Sequence, residues 1–100
     1  MHSITTQFLR THPHWTHEPE RDALQRAFLF ADFMQAFAFM TQMAIFAEKN
    51  NHHPEWFNVY NRVDITLTTH DANGVTEKDC AFARYAEQVF TQQFAGAPAN

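Results

Sequence analysis

The sequence is poor in cysteine, basic side chains and glycine, and each shortage excludes a class of protein. Cys80 is the only cysteine among 100 residues, so no disulfide framework can form within the chain, which fits a reducing compartment such as the cytoplasm. Seven Lys and Arg against eleven acidic residues give a formal charge of −4, a poor supply of cations for binding nucleic acid directly. Gly74 stands alone in a loop pattern and forms no phosphate-binding motif.

A secretory signal and a membrane span are also missing from the pattern. The N-terminus lacks a basic region followed by an apolar run, so we expect no signal peptide. The most apolar stretch, 28–47, is about long enough to cross a bilayer, but polar residues interrupt it and a helix cap lies inside it. We interpret this stretch as a buried helix that a second subunit partly covers. The interrupting residues are Asp32, Gln35, Thr41 and Gln42.

Aromatic residues and histidine are what the sequence has in excess. Eleven Phe, two Trp and two Tyr help to bring the hydrophobic fraction to 45%, enough for the core of a single domain over residues 1–100. So much Phe in a short chain suggests that another subunit covers some of it. The seven histidines point to proton chemistry, because the unperturbed pKa of histidine lies nearest neutrality. A pH-sensing surface, or chance, is the alternative.

The first third of the chain predicts a short helix and two strands. Residues 4–9 are spaced for one or two helical turns, which Pro13 ends. Residues 14–17 and 23–30 are predicted to be strands on either side of a polar turn. Arg26 interrupts the apolar face of the second strand and therefore indicates an edge strand or a solvated end.

A long, strongly apolar helix is predicted next. Asp32 is a good N-cap, Gln35 stands at the capping-box position, and the helix should end near Glu48, where Asn50 and Asn51 tolerate the left-handed conformation. One apolar stripe is predicted to cover the sheet, and the other apolar residues to meet a second subunit. The stripe consists of Phe33, Ala36, Phe37, Met40, Met43, Ala44 and Ala47, and the residues outside it are Met34, Phe39, Ile45 and Phe46.

Two further strands are predicted in the second half of the chain. Residues 56–69 alternate as a half-buried strand does, and a tight turn at Asn61-Arg62 is predicted to split them in two. A loop is predicted at 70–74. The residues predicted to share the apolar parity are Val59, Val63, Ile65, Leu67 and Thr69.

A last helix completes the chain. Thr76 is its predicted N-cap with Asp79 at the third helical position, and Val75 and Cys80 are spaced as a hydrophobic staple. The helix should end near Phe94 and be followed by a frayed tail. The order of elements, β-β-α-β-β-α, implies an antiparallel sheet with helices on one face, which is an α+β domain.

Three histidines fall at the ends of predicted elements. His52 and His53 follow the long helix and His70 follows a strand, and in an antiparallel α+β layer those ends can meet. We interpret the three as a small acid–base site. Two adjacent histidines in an extended segment point in opposite directions, and no cysteine or second histidine pair stands at ligand spacing, so a metal site is disfavoured. Glu48 either orients an imidazole or caps the helix surface.

Several of these residues also have a purely structural interpretation. A His-His pair is more often surface than ligand. Trp15 and Trp56 either line a pocket for a flat heterocycle or pack in a core or interface, which is the more frequent fate of Trp. Cys80 is interpreted as helix packing rather than a nucleophile, since no base stands near it in sequence.

One segment carries a highly specific pattern, Glu48-Lys-x-x-His52-His53-Pro54-Glu-Trp56-Phe-Asn-Val-Tyr60-Asn-x-Val-x-Ile-Thr-Leu-x-Thr69-His70. This pattern closely resembles the signature of the pterin-4a-carbinolamine dehydratases. The preceding Phe33-x-x-Ala36-Phe-x-Phe-Met40-Thr is similar to that family's central helix. The resemblance covers roughly residues 15–90. It implies a four-stranded antiparallel sheet with helices packed on one face, and dimers that pair into tetramers through helices.

The resemblance also implies an activity. The family comprises hydro-lyases that dehydrate 4a-hydroxytetrahydropterin (4a-hydroxytetrahydrobiopterin) to quinonoid dihydropterin, without metal or other cofactor, and so recycle the pterin cofactor of aromatic amino-acid hydroxylases. By position, His52, His53 and His70 would be catalytic. The substrate-binding residues implied are Pro54, Thr69, Asp71, Ala72, Glu48 and Trp15. Asn51 departs from the Asp that relatives often carry, and the short N-terminal segment leaves two alternatives for the family's first helix, which is either truncated or absent.

A mechanism and two competing functions follow from the resemblance. We expect His52 and His70 to be the acid–base pair, and His53 mainly to bind and orient the substrate. Some relatives are dimerisation cofactors of a homeodomain transcription factor and use the same helical surface. A third interpretation is a repurposed protein that assists assembly of another enzyme. The intact set of three imidazoles favours the enzyme, because neither a pure adaptor nor an assembly aid needs them in one place.

Overall fold

The computed structural model describes residues 3–94 and shows the α+β domain that the sequence predicted. Its seven main elements are α1 (Ser3–Thr11), β1 (Thr16–Glu18), β2 (Ala23–Leu29), α2 (Phe33–Asn50), β3 (Glu55–Val59), β4 (Arg62–Leu67) and α3 (Glu77–Gln93). A short first helix is therefore present. The predicted frayed tail lies outside the described residues. Within residues 3–94, no helix has both the length and the apolar character needed to cross a membrane.

The four strands form one antiparallel sheet in the order β1-β2-β4-β3. The β3–β4 hairpin is the predicted split of the long strand, but its turn centres one residue earlier, with Tyr60 at φ 49°. This turn pairs Val59 with Arg62, so both side chains lie on the outer face. The predicted parity is therefore wrong for Val59, which is exposed, and right for Val63, Ile65 and Leu67, which are buried.

The prediction of an edge position for β2 is wrong, because this strand lies between β1 and β4. Arg26 is accommodated inside by partners that the sequence alone did not reveal. Its guanidinium lies 4.0 Å from the centroid of the Phe28 ring and pairs with Glu87 of α3. Glu87 also accepts a hydrogen bond from the indole N–H of Trp15 at 2.9 Å. The charge is thus neutralised and stacked rather than solvated.

Helix α2 begins and ends where its capping residues predicted, but it turns a different face to the core. Asp32 accepts a hydrogen bond from the Gln35 N–H at 2.9 Å, and Asn51 ends the helix in the left-handed conformation. The predicted stripe is wrong for Phe33, Phe37 and Ala44, which are exposed, while Phe39 is fully buried. The ring of Phe39 packs at about 5 Å from two aromatic rings of β2 and its end, which fixes the rotation of the helix. The buried residues of α2 are Ala36, Phe39, Met43 and Ala47.

Candidate active site

The three predicted histidines lie around one open cleft. His52, His53 and His70 line a space of about 260 Å³ between the end of α2, the end of β4 and the start of α3. The other lining residues are Asn51, Thr68, Thr69, Asp71 and Lys78. The three histidines therefore meet at one cleft, as the sequence pattern predicted, and the cleft has room for a small molecule.

Local backbone signals place each histidine at the cleft. Asn51 adopts φ 49° and ψ 45°, and its N–H and that of His52 close the helix onto the carbonyl of Ala47. The chain then leaves α2 through His52, His53 and Pro54, which lie between the helix and β3. His70 opens a single 3₁₀ turn after β4, which Asn73 ends in the left-handed conformation at φ 54°.

His52 is the best-held imidazole of the three. Its Nε2 lies 2.6 Å from Oδ1 of Asp79, and only 11% of the His52 side chain is exposed. A carboxylate accepts hydrogen bonds only, so Nε2 carries a proton, and in the neutral ring Nδ1 is left as the acceptor. This arrangement fixes one tautomer and one ring orientation.

Asp79 is fully buried and is itself held by three donors. Its Oδ2 accepts hydrogen bonds from the Thr76 N–H at 2.9 Å and the Thr69 hydroxyl at 2.7 Å, while Oδ1 accepts from His52. It also lies in the first turn of α3, where the helix dipole favours negative charge. Sequence reasoning assigned Asp79 only to a capping box, which does form, and missed that its second oxygen reaches His52. The sequence did show that Asp79 caps the helix that follows the His70 loop, and this was the one sign that its carboxylate lies near the histidines.

His53 has a looser carboxylate partner. Its Nε2 lies 2.6 Å from Oε2 of Glu48, one turn back on α2, and both side chains are largely exposed. The geometry thus brings Glu48 to an imidazole, as one of the two interpretations expected. Because water competes for both groups, this pair orients the ring only weakly.

His70 is the most exposed of the three, at 76% of its side chain. Its Nε2 is 3.5 Å from Oε2 of Glu55. Glu55 is held by two hydrogen bonds from Arg21, at 2.8 and 2.6 Å, and these hold its pKa below the ordinary value against the opposing effect of burial. A second hollow of about 410 Å³ adjoins the cleft and shares Thr68, Thr69 and His70 with it. His70 therefore lies on the border of two neighbouring hollows.

Of the six predicted substrate-binding residues, two line the cleft, three are neighbours of its histidines and one lies elsewhere. Thr69 and Asp71 line the cleft, and Pro54, Ala72 and Glu48 neighbour its histidines along the chain or in space. Trp15 is not brought to the cleft. It is 3% exposed and packs in the core against Phe8 and Phe28.

Neither a thiol nucleophile nor a metal centre is formed by the described residues. Burial raises the pKa of the Cys80 thiol to about 11, so the thiol stays protonated near neutral pH. Within residues 3–94, no three His, Cys, Asp or Glu side chains gather in a way that could hold a metal ion. The chemistry that the geometry offers is proton transfer by imidazoles, one fixed by a buried carboxylate and one facing solvent.

Comparison with known proteins agrees with this geometry. The family model described as pterin 4 alpha carbinolamine dehydratase matches residues 2–89. The chain belongs to this family. The resemblance found in the segment 48–70 is therefore confirmed over most of the chain.

Individual members of the family match nearly end to end. A Burkholderia ambifaria protein that carries the provisional name pterin-4-alpha-carbinolamine dehydratase is 57% identical over 93 residues, covering 89% of this chain and 91% of that one. A similarly named Burkholderia cenocepacia protein is 54% identical over 101 residues, covering 97% and 99%.

Two solved structures share the fold. A transcriptional coactivator/pterin dehydratase from Brucella melitensis has a TM-score of 0.85 at 49% identity, covering 89% of this chain and 95% of that one. A pterin dehydratase-like protein identified as a RuBisCO assembly factor in the alpha-carboxysome has a TM-score of 0.66 at 25% identity, covering 75% and 87%.

Proposed function

We propose that this chain dehydrates 4a-hydroxytetrahydropterins to quinonoid dihydropterins and so regenerates the pterin cofactor of an aromatic amino-acid hydroxylase. In this reaction the C4a–O bond breaks, a C=N bond forms to the adjacent ring nitrogen, and the hydroxyl leaves as water. The observation that carries the proposal is the placement of His52 and His70 on one cleft in a chain of this family.

The two imidazoles have complementary roles in the proposal. His52 takes the proton from the ring N–H, because Asp79 keeps its Nε2 protonated and leaves Nδ1 free to accept. His70 gives a proton to the leaving hydroxyl and takes another from the solvent to which it is exposed, and His52 passes the proton it has taken to water in the open cleft. His53 binds and orients the substrate, with Glu48 as a weak partner of its ring. Thr69 and Asp71 supply further polar contacts from the same cleft.

A direct assay tests the activity. Purified protein is mixed with 4a-hydroxytetrahydropterin, generated in place by a hydroxylase, and quinonoid product formation is followed by stopped-flow absorbance. We expect acceleration over the spontaneous reaction and a bell-shaped dependence on pH, since one group must be protonated and the other free. No acceleration at micromolar protein, while a known dehydratase works in the same mixture, would overturn the proposal. A flat profile from pH 5 to 9 would remove the imidazole mechanism.

Alanine variants test the roles. Loss of His52 or His70 should lower kcat by about 10²–10⁴-fold, the usual worth of a positioned proton transfer, and change KM far less. Loss of His53 should mainly raise KM. His14→Ala is the matched control, because His14 is exposed and lines a different hollow on the outer face of the sheet. Equal losses of affinity with kcat unchanged would refute the assignment.

A second candidate function is protein binding, and the outward face of α2 favours it. Phe33, Met34, Phe37 and Ile45 are all exposed on this helix, which is unusual for large apolar side chains. We propose that a second copy of the chain covers this face and that dimers or tetramers result. The Brucella structure is named for coactivation as well as dehydration, and a protein partner recruited through the same face would give a non-catalytic role.

Light scattering and turnover separate these possibilities. Phe37→Glu should reduce the oligomer, while Gln92→Glu on the exposed part of α3 should not. A chain that is only a binding module would assemble normally and show no dehydration. An unchanged assembly in Phe37→Glu would contradict the proposed interface.

A further inference from the structure

The turn that carries His70 stands on a narrow neck, which we define as Thr68, Thr69, Gly74 and Val75. Within the neck the Thr69 N–H donates to the Gly74 carbonyl at 2.9 Å, and the Gly74 N–H donates back at 3.3 Å. Because His70 is mostly exposed and its Glu55 contact is 3.5 Å long, the position of the imidazole depends mainly on the backbone of this turn. Contacts that fix the neck therefore also fix the position of His70.

Asp22, in the β1–β2 turn, contacts both sides of the neck. Its backbone carbonyl accepts a hydrogen bond from the Thr68 hydroxyl at 3.0 Å, just before the turn. Its Oδ2 accepts from the Val75 N–H at 3.2 Å, just after it. The other carboxylate oxygen lies 2.6 Å from Nε2 of His17, so the carboxylate is fixed from behind. Asp22 itself adopts φ 53°, an uncommon conformation for a residue other than glycine, and in it the backbone carbonyl oxygen and Oδ2 both reach the neck.

Gly74 shows that the neck is shaped around this carboxylate. A Cβ built on Gly74 would lie 2.3 Å from Oδ2 of Asp22, far inside van der Waals contact. The φ of Gly74 is not left-handed, so the backbone conformation does not require glycine here. Glycine is required here because any side chain would occupy the space of the Asp22 carboxylate.

We propose that Asp22 is a positioning residue for His70, with His17 holding its carboxylate in place. Asp22 does not line the cleft, and it acts on the reaction only through the turn. The proposal rests on the proposed function for its catalytic consequence, but not for the structural one. A misplacement of about 1 Å in a catalytic group costs on the order of 10²-fold in rate. Asp22→Ala should therefore lower kcat by about that factor and leave KM nearly unchanged.

A set of variants separates positioning from general damage. Gly74→Ala should mimic Asp22→Ala, because the new methyl group displaces the same carboxylate, and combining the two should cost little more than either alone. In a His70→Ala background, Asp22→Ala should cost almost nothing further. Asp22→Asn keeps an oxygen for the Val75 N–H and should retain most of the turnover. Asp64→Ala, which removes a carboxylate paired with Arg62 on the outer face, should leave kcat unchanged.

Amide hydrogen exchange measured by NMR gives a readout that does not depend on activity. The Ala72 and Asn73 N–H groups donate to the Thr69 and His70 carbonyls at 3.1 Å within the turn. Asp22→Ala and Gly74→Ala should speed exchange at these amides and at Val75, with α2 unaffected. Unchanged exchange in both variants would overturn the proposal, even if the wild-type chain had no dehydratase activity. Faster exchange with wild-type kcat in an active enzyme, or an equal loss of kcat in the His70→Ala background, would also overturn it.

Discussion

The two imidazoles proposed to transfer protons are held in opposite ways. His52 is nearly buried and is fixed by side chains, through Asp79 and the two threonines behind it. His70 is mostly exposed and is fixed by the backbone of its turn, through the neck and Asp22. A base needs one defined lone pair. The buried carboxylate of Asp79 leaves that lone pair on Nδ1 of His52, because it binds the proton on Nε2. An acid that must be reprotonated every turnover needs water, which an exposed turn provides.

The two arrangements should also respond differently to damage. A buried donor or acceptor that loses its partner costs about 1–3 kcal/mol, because no water replaces it. An exposed pair contributes roughly 0–1 kcal/mol, because water competes with it. Changes on the His52 side should therefore affect stability and rate together, and changes on the His70 side mainly rate.

The largest expected effect tests this contrast by chemical rescue. His52→Ala and His70→Ala should each lower kcat by about 10²–10⁴-fold. Free imidazole added to the assay should restore part of the activity of His70→Ala, since the vacated place opens to solvent. It should restore little in His52→Ala, where the place beside Asp79 is enclosed and the carboxylate loses a donor. Equal rescue of both variants would show that the two histidines do not differ in their access to solvent.

The next effect concerns the carboxylate behind His52. In Asp79→Asn the amide oxygen must stay with the Thr76 N–H, so the amide NH₂ group faces Nε2 of His52 and opposes its proton. The ring should then take the other tautomer or turn away. We expect kcat to fall by about 10–100-fold and the free energy of unfolding by about 1–3 kcal/mol.

Glu77→Gln is the matched control for Asp79→Asn. It changes an exposed carboxylate in the same helical turn, which pairs with Arg84 rather than with a histidine. Assays and urea unfolding of the two variants should differ clearly. Wild-type kcat in Asp79→Asn would mean that the tautomer of His52 does not matter.

The sequence predicted the parts of the site that depend on local signals. The end of α2 at Asn51 and the start of α3 at Thr76 are set by capping residues within a few positions, and both fall where predicted. The histidines follow these ends, so their approach to one cleft could be inferred. Asp79 was visible as a capping residue, but its partner lies 27 positions away, and no local pattern connects them.

Features that depend on packing across the sheet could not be predicted in the same way. Whether Arg26 is exposed or buried depends on the order of the strands and on Glu87, which lies in a helix far along the chain. The rotation of α2 depends on where Phe39 meets the rings of Phe28 and Phe30. A helix that is apolar on most sides has no periodicity strong enough to reveal which side faces the core.

A smaller effect is expected when the carboxylate beside His70 is loosened. Arg21→Ala should raise the pKa of Glu55 towards its ordinary value, because the two hydrogen bonds that lower it are lost. Backbone placement of His70 predicts a change in kcat of less than about fivefold, as for an exposed pair. Carboxyl NMR titration and turnover measure the two effects. A loss of kcat as large as that of His70→Ala would show that Glu55, not the turn, holds the imidazole.

The sign of the associated pH dependence follows from the lowered pKa of Glu55. A carboxyl whose pKa is lower in the folded state adds stability above its unfolded pKa, and loses that contribution as the pH falls through its folded pKa. The wild type should thus be slightly more stable than Arg21→Ala at neutral pH, and the difference should close in acid. Arg62→Ala, which breaks an outer-face pair with Asp64, should leave the Glu55 titration unchanged.

The smallest effect on activity is expected at Cys80, one residue after Asp79 and equally buried. The same exclusion of water that makes Asp79 depend on its donors raises the pKa of this thiol to about 11 and leaves it unreactive. Cys80→Ala should keep kcat within about twofold and lose roughly 1 kcal/mol of stability from the small cavity. Iodoacetamide at pH 8 should modify the native thiol slowly and the urea-unfolded thiol quickly. Rapid native modification with loss of activity would show that the first turn of α3, which carries Asp79, opens in solution, so His52 would no longer be held more firmly than His70.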